Sequence, residues 1–348
     1  MFNFAADIGY AGASPAASAN NNDMAMDSTE LLKQVNAAID SLTYDRQPAA
    51  LYDPIRYVLS LGGKRIRPVL MLLAYSLYKD DPVSIMSQAV GLETYHNFTL
   101  LHDDLMDKAD MRRGHETVHK RWNDNQAILS GDTMLLQAFQ RIAQCDAERL
   151  KPVMQLFIET TLEIDEGQQL DVSFETRDDV TEDEYIEMIR LKTSVLLACA
   201  LKMGAMLADA PIADQQALYE LGENVGLAFQ LQDDLLDVYG DPKIFGKNIG
   251  GDIVSNKKTY MLINAVRCAD EAQRHELLRW IDAQDFDRQE KVTAVTALYN
   301  KIGVRRLCED KIRHYFELGC RCLDRVAVSD GRKAALRVFI DGMMHREL

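Results

Sequence analysis

Asp103-Asp104-Leu105-Met106-Asp107 ends an apolar, helix-like stretch that begins near Val90, and Asp233-Asp234-Leu235-Leu236-Asp237 ends a second one that begins near Val225. On a helix, the first and fifth residues of such a pentad face the same way, with side chains about 5–6 Å apart. Carboxylates at this spacing repel one another, and the C-terminal end of a helix already carries partial negative charge. Because each pentad is reached through a hydrophobic run, the pattern favours two buried sites over two solvated acidic helix ends.

A divalent cation would remove this repulsion. Carboxylate oxygens without paired Cys or His suit Mg²⁺, which usually keeps several waters and shares its remaining positions with substrate phosphates. Arg112 and Arg113 follow the first pentad and supply forked donors for phosphate oxygens. The sequence therefore predicts acidic helix ends that bind Mg²⁺ and a phosphate-bearing substrate.

Composition limits the alternatives. The 348 residues are 47% hydrophobic and 27% charged, which is enough for a large core. The net charge of −15 argues against a general nucleic-acid partner, because affinity for the phosphate backbone needs a basic surface. No window reaches about eighteen uninterrupted apolar residues, so we expect no membrane span. The start has neither a basic region nor a long apolar region typical of a secretory signal, so we expect a cytoplasmic protein with reduced thiols.

Apolar periodicity predicts an all-α protein. Residues 1–26 are rich in Ala, Ser and Asn and are predicted to be a disordered tail, and residues 27–348 a single helical domain. The first helix should begin at a capping box of Asp27 with Glu30, and Pro68 should take the first position of a later one. Helical patterns continue over 51–59, 68–79, 83–107, 126–144, 150–172, 181–208, 212–238, 257–268, 270–283, 286–301, 303–326 and 330–345. Without strand patterns, we expect one large helical bundle whose two pentads face a central cavity.

Several cations accompany the pentads. Gly62-Gly63-Lys64-Arg65-Ile66-Arg67 places three of them in a glycine-containing loop that lacks the spacing of a Walker motif. Lys192-Thr193 lies inside an apolar helical pattern, where a lysine is commonly a surface side chain that extends to solvent. Beside two carboxylate clusters, a lysine directed into the cavity is the better explanation.

Two other metal motifs compete for the same region. His115-Glu116-Thr117-Val118-His119 matches the zinc-peptidase pattern, which requires a helix and a third protein ligand. No long apolar helical run flanks it, so we interpret it as a coincidence. His102-Asp103 could belong to a metal phosphohydrolase, but that hypothesis leaves the second pentad unexplained.

Taken together, the motifs resemble those of the trans-isoprenyl diphosphate synthases of the polyprenyl synthetase family. The similar stretches follow one another in order: Gly62 to Pro68, His96 to Gly114, Ala127 to Asp132, Gly167 to Asp171, Lys192-Thr193, Phe229 to Asp237 and Gly246 to Thr259. The resemblance implies an all-helical homodimer that joins isopentenyl diphosphate to an allylic diphosphate with release of diphosphate. It also implies that the released diphosphate accepts the proton, so that no protein base is needed.

The resemblance also implies residue roles, carried over by position. Asp103 and Asp107 would hold two Mg²⁺ ions, and Asp233 would hold a third. Asp104, Asp234 and Asp237 would support them. The allylic diphosphate would contact Arg112, Lys192, Thr193, Gln230, Lys247 and Lys257, of which Lys192, Thr193, Gln230 and Lys247 are assigned to catalysis. Isopentenyl diphosphate would contact Lys64, Arg67, His96 and Arg113. Two departures, Asn248 and Asn256, stand where the family usually has proline and glycine, and Asn tolerates the left-handed conformation.

The residues upstream of the first pentad bear on product length. Phe98 lies five residues before Asp103, about 7.5 Å along a helix. In the family that the chain resembles, an aromatic residue at this position beside a small residue, here Thr99, is typical of enzymes that make twenty-carbon geranylgeranyl diphosphate. Tyr95, one turn deeper, would support this floor. Fifteen-carbon farnesyl diphosphate and a non-catalytic regulatory subunit of the same fold remain alternatives.

Overall fold

The computed structural model describes residues 27–240 and 249–344. The predicted tail 1–26 and the predicted ligand Lys247, with its neighbour Asn248, lie outside these ranges. In the described part, the α-helices are α1 (Ser28–Asp40), α2 (Ala49–Ser60), α3 (Ile66–Ser76), α4 (Met86–Met106), α5 (Val118–Arg121), α6 (Asp124–Ile142), α7 (Ala147–Phe174), α8 (Glu182–Ile189), α9 (Val195–Leu207), α10 (Ile212–Tyr239), α11 (Gly251–Val254), α12 (Tyr260–Cys268), α13 (Glu271–Asp282), α14 (Arg288–Ile302), α15 (Val304–Arg325) and α16 (Asp330–Met344). The all-α prediction is confirmed.

The core is built around α9 and α10. Helix α9 is apolar except at Lys202 and mostly buried, as expected for a helix surrounded by others, and it contacts α3, α7 and α10. Helix α10 links two hydrophobic clusters, because its first half, with Leu221 and Val225, packs into one. Its second half, with Leu231 and Leu235, packs into the other. The second pentad therefore ends a buried helix, as its apolar approach predicts.

Four details differ from the sequence-based expectation. The helix predicted over 181–208 contains one turn of π-helix, Arg190–Ser194, between α8 and α9, and we call this segment the π-turn. A short antiparallel hairpin, β1 (Met111–Arg112) with β2 (His115–Glu116), follows the first pentad. Asp27 caps α1 through the amide of Thr29 rather than in a box with Glu30. Pro68 is the third residue of α3, where a missing amide hydrogen still costs no helical bond.

No helix in the described part of the chain is both long enough and apolar enough to cross a bilayer.

Candidate active site

The first pentad lies at the C-terminal end of α4, where Asp107 is the capping residue. Asp103 accepts a hydrogen bond from Lys192 Nζ at 3.1 Å, and its second oxygen lies 3.8 Å from an Arg112 nitrogen. Asp104 is buried and accepts from Arg112 Nε at 2.7 Å. The hairpin thus brings Arg112 back onto the helix end, so that cations from two separate segments compensate the acidic charge.

The second pentad lies at the end of α10. Asp234 is buried and accepts hydrogen bonds from the Tyr185 hydroxyl and, at 3.1 Å, from Gln230 Nε2. Burial and the nearby charge of Asp252 raise the pKa of Asp234 well above its usual range. Asp237 accepts from the backbone amide of Asp252 at 3.0 Å, which ties the pentad to the segment that leads to Lys257.

The π-turn connects the two pentads. Lys192 contacts Asp103 of the first pentad, whereas its neighbour Thr193 donates a hydrogen bond at 3.0 Å to Gln230, the partner of Asp234. Adjacent residues of one short turn therefore reach both acidic helix ends. This chain of hydrogen bonds places the two pentads in a single site, as the sequence-based hypothesis requires.

Asp171 on α7 holds two of the cations together. Its carboxylate lies 2.6 Å from Lys192 Nζ and 3.4 Å from Lys257 Nζ. Burial alone would raise the pKa of Asp171, but these two lysines lower it. Sequence reasoning assigned Asp171 no role, although it ends one of the stretches that resemble the family. Tyr185 was also missed, because a buried tyrosine in a helical pattern gives no sign of its partner.

Two glycines make room for the π-turn. A Cβ on Gly167 of α7 would come within 2.4 Å of the backbone nitrogen of Lys192. A Cβ on Gly226 of α10 would come within 2.6 Å of the Cα of Ser194. Both helices therefore approach the turn so closely that only glycine fits, α7 at Lys192 and α10 at Ser194.

The glycine-containing loop and α4 build a second group of cations. Arg67 lies 3.1 Å from His96 Nε2, and Arg113 donates to the carbonyl of Gly62. Burial lowers the pKa of His96 well below its usual value, and the surrounding arginines lower it further, so the ring is neutral and accepts from Arg67. Burial also lowers the pKa of Arg67, to about 10. Lys64 is exposed in the same loop.

Arg65, the remaining cation of this loop, has a different position. Its side chain is buried and pairs with Glu93 at 2.8 Å. It also donates to the carbonyl of Leu59 at 2.9 Å. These contacts hold the loop against the helices, so Arg65 supports the site without facing it.

The donor chemistry suits Mg²⁺. The available ligands are carboxylate oxygens, which this hard cation prefers. Partial burial and the charge of Asp103 raise the pKa of Asp107, which indicates negative charge that a divalent cation would compensate. Among the described residues, no three acidic, His or Cys side chains are already arranged around one metal position. Asp103 and Asp104 of the first pentad instead pair with protein cations.

The two competing metal motifs do not form sites of the expected kind. His115 and Glu116 lie on β2, whereas His119 lies on α5, so the three side chains do not share a helix. His102 Nε2 lies 3.2 Å from the carbonyl of Ile128, so its ring is directed toward α6. Asp103 contacts Lys192 instead.

Below the first pentad, aromatic rings form successive layers that meet at tilted or edge-on angles. Phe98 packs against Tyr95 with 5.5 Å between ring centroids, and Tyr95 packs edge-on against Phe157 at 5.3 Å. Phe157 in turn contacts Phe139 of α6 at 4.8 Å. The hydroxyl of Thr99 is bonded to the carbonyl of His96, so it does not project into these layers as a free polar group. Phe157 and Phe139 come from α7 and α6 and could not be connected with Phe98 from sequence spacing.

The chain is similar to known proteins in both sequence and fold. A sequence profile of the polyprenyl synthetase family matches residues 48–299. The geranylgeranyl diphosphate synthase of Methanosarcina mazei is 44% identical over 233 residues, which cover 66% of this chain and 72% of that protein. The (2E,6E)-farnesyl diphosphate synthase of Mycobacterium tuberculosis is 37% identical over 288 residues, which cover 82% of this chain and 80% of that protein. A crystal structure of a geranylgeranyl pyrophosphate synthase superposes with a TM-score of 0.86 and 40% identity, covering 92% of this chain and 98% of the other.

Proposed function

The chain belongs to the polyprenyl synthetase family, and from that premise we propose that it joins isopentenyl diphosphate head to tail (1′–4) to an allylic diphosphate and releases diphosphate. The observation that carries this proposal is the hydrogen-bonded chain from Asp103 through Lys192 and Thr193 to Gln230 and Asp234. It joins two acidic helix ends through Lys192, and Arg112 adds a second cation at Asp103 and Asp104. Such a combination suits a diphosphate bound through divalent metal.

Enzymes of this family depend on Mg²⁺. Asp103 and Asp107 would hold two ions and Asp233 a third, with Asp104, Asp234 and Asp237 in support. Bound Mg²⁺ would stabilise the negative charge that develops on the departing diphosphate.

The protein's cations would orient the two substrates. Contacts to the allylic diphosphate are assigned to Arg112, Lys192, Thr193, Gln230, Lys247 and Lys257. Lys192 and Thr193 are already placed by the π-turn, so they need little reorganisation when charge develops. The second diphosphate is assigned to Lys64, Arg67, His96 and Arg113, where a neutral His96 leaves the arginines as the charged donors.

The bond-forming step that we propose is the one implied by membership of the family. When the allylic carbon–oxygen bond breaks, its electron pair leaves with the diphosphate and an allylic cation remains. The isopentenyl double bond attacks this cation, and a proton is then lost to the departed diphosphate. No side chain of the protein needs to serve as nucleophile or base.

The layered aromatic floor supports a twenty-carbon product. Phe98 and Tyr95 lie one turn apart beneath Asp103, and both are buried. The similarity to a geranylgeranyl diphosphate synthase points the same way, whereas the farnesyl diphosphate synthase relative keeps the fifteen-carbon product as an alternative.

We also propose that the enzyme is a homodimer. Helices α6 and α7 carry an exposed apolar face formed by Leu129, Leu136, Ile158 and Leu162. The side chain of Leu136 is 70% exposed, which is unusual for leucine in a monomer.

A Leu136→Glu variant should shift the sedimentation coefficient to that of the monomer, whereas Ile212→Glu, at an exposed residue elsewhere, should not. A monomeric wild type would contradict this interface.

An assay with radiolabelled isopentenyl diphosphate tests the proposed activity. The protein is incubated with Mg²⁺ and dimethylallyl, geranyl or farnesyl diphosphate, and products are extracted into organic solvent and separated by chain length. We expect label in a twenty-carbon product and none with Asp103→Asn. Wild-type protein that gives no extractable label would favour the regulatory-subunit alternative.

The cytoplasmic location of the protein stays a prediction from the sequence.

A further inference from the structure

Asn256, which immediately precedes Lys257, has a left-handed backbone with φ of +53°. A non-glycine residue in this region is uncommon, and asparagine is among the residues that tolerate it best. Both ends of its side-chain amide are bonded. Oδ1 accepts from Lys291 Nζ at 2.8 Å, and Nδ2 donates at 2.9 Å to the carbonyl of Ile281. The residue is therefore attached to α14 and to α13 at the same time.

Lys291 is an unusual partner because it is almost completely buried, with 1% of its surface exposed. Its ammonium group lies 4.2 Å from the centroid of the Phe286 ring and 3.5 Å from the carbonyl of Val254. Within the described ranges, no carboxylate forms an ion pair with it. Burying a cation without a carboxylate partner is costly. A methionine or leucine would pack there at lower cost, so stability alone does not explain the lysine.

The bonded amide fixes the chain next to a cation of the proposed site. The backbone amide of Lys257 donates to the carbonyl of Asp252 at 2.9 Å, so its main chain is held as well. Its side chain reaches Asp171 at 3.4 Å and experiences the charges of Asp103 and Asp107. These hydrogen bonds thus hold the backbone from which the Lys257 ammonium group extends toward Asp171.

We propose that Lys291 and Asn256 form a positioning pair, which fixes the turn before Lys257 and so holds that ammonium group in place for the allylic diphosphate. This inference rests on the proposed function. Neither member of the pair contacts substrate, since both act through Lys257. The chemistry that they serve is recognition of a diphosphate anion.

The first experiment measures hydrogen exchange in the full-length protein without substrate. Lys291→Met removes the ammonium group and keeps the apolar stem, whereas Asn256→Gly keeps access to the left-handed backbone and removes the amide. Losing one hydrogen bond changes a local opening equilibrium about fivefold. We therefore expect amides of residues 251–259 to exchange roughly five times faster in Lys291→Met. The increase should be larger in Asn256→Gly, because this variant loses both hydrogen bonds of the amide. Lys301→Met, on the exposed end of α14, is the matched control and should leave exchange unchanged.

The second experiment separates positioning from general destabilisation. In the wild-type background, Lys291→Met should raise KM for the allylic diphosphate about fivefold, with KM for isopentenyl diphosphate unchanged. In a Lys257→Ala background, the same substitution should have no further effect, because the residue through which it acts is gone. Asn256→Gly should behave in the same way.

Two results would overturn the positioning pair. One is unchanged exchange over 251–259 in both variants. The other is a Lys291→Met effect of equal size with and without Lys257. If the wild-type protein forms no prenyl product, the proposed function fails, whereas the exchange measurement still decides whether the pair holds this turn.

Discussion

Replacing Phe98 with alanine should lengthen the product by one five-carbon unit. Phe98 lies five residues before Asp103, which places its ring about 7.5 Å from the acidic helix end along α4. Behind Phe98 lies Tyr95, whose ring centroid is 5.5 Å away and whose surface is 1% exposed. Removing the first ring therefore exposes a second one rather than an open channel.

The size of the effect follows from the spacing of these rings. Phe98 and Tyr95 are three residues apart, so the floor should descend by about 4.5 Å. An extended chain advances about 1.2 Å per bond, since three backbone bonds span about 3.5 Å. The four chain bonds of one prenyl unit then span about 4.7 Å, close to the depth gained. A twenty-carbon product should become a twenty-five-carbon product and stop there.

The assay is the chain-length separation described above, run below the unfolding temperature of the variant. Loss of a buried phenylalanine side chain costs about 3 kcal/mol or more, so thermal unfolding must be measured first. Tyr95→Phe is the control, because the Tyr95 hydroxyl is buried without a hydrogen-bond partner among the described residues. It should leave product length unchanged. A folded, active Phe98→Ala enzyme with the wild-type product distribution would refute Phe98 as the floor.

Three further predictions concern groups around the site. Because burial and neighbouring arginines lower the pKa of His96 below 6.5 in the folded state, the unfolded chain binds more protons at low pH. The free energy of unfolding should therefore fall as pH decreases below 6.5, by up to about 1.4 kcal/mol per pH unit. In urea unfolding, His96→Gln should lack this pH dependence. An equal pH dependence in the variant would contradict the burial argument. Gly226→Ala should lower the free energy of unfolding in urea by roughly 1–3 kcal/mol and also lower kcat, because its Cβ would clash with the π-turn. The control is Gly342→Ala, because a Cβ at Gly342 meets nothing within 4 Å. Similar behaviour of the two variants would argue against the close approach at Gly226. Asp171→Asn should lower kcat/KM for the allylic substrate about tenfold, since two lysines lose a charged acceptor; unchanged kinetics would show that other groups position them.

The acidic helix ends could be predicted because their signal is local. Each pentad follows an apolar run within one helix, so the pattern itself indicates a polar group at the end of a buried element. Lys192 was identified because an apolar helical pattern around a cation is unusual beside such clusters. Both conclusions needed only residues that are close in sequence.

The connections between these elements could not be predicted in the same way. The π-turn inserts one extra residue into a pattern that reads as a continuous helix over 181–208, so periodicity does not reveal it. Arg65 and Arg67 are equivalent as letters in a basic loop, yet only the fold shows that Arg65 is buried against Glu93. Asp171 gains its role from Lys192 and Lys257, which lie on other segments. Such roles depend on distances between helices.

The ion pairs of the first pentad also explain why the site needs a rigid scaffold. Asp103 holds Lys192 and Arg112, the same cations that would contact the allylic diphosphate. When a diphosphate enters together with divalent cations, each protein cation can leave its carboxylate and contact a phosphate oxygen instead. The carboxylate is then compensated by a divalent cation, so that neither it nor the protein cation is left unpaired at low dielectric. This exchange requires the cations to lie between the carboxylates and the substrate before binding. The π-turn, which α7 approaches at Gly167 and α10 at Gly226, places Lys192 beside Asp103 before any substrate is bound, while Thr193 contacts Gln230 on the second acidic helix.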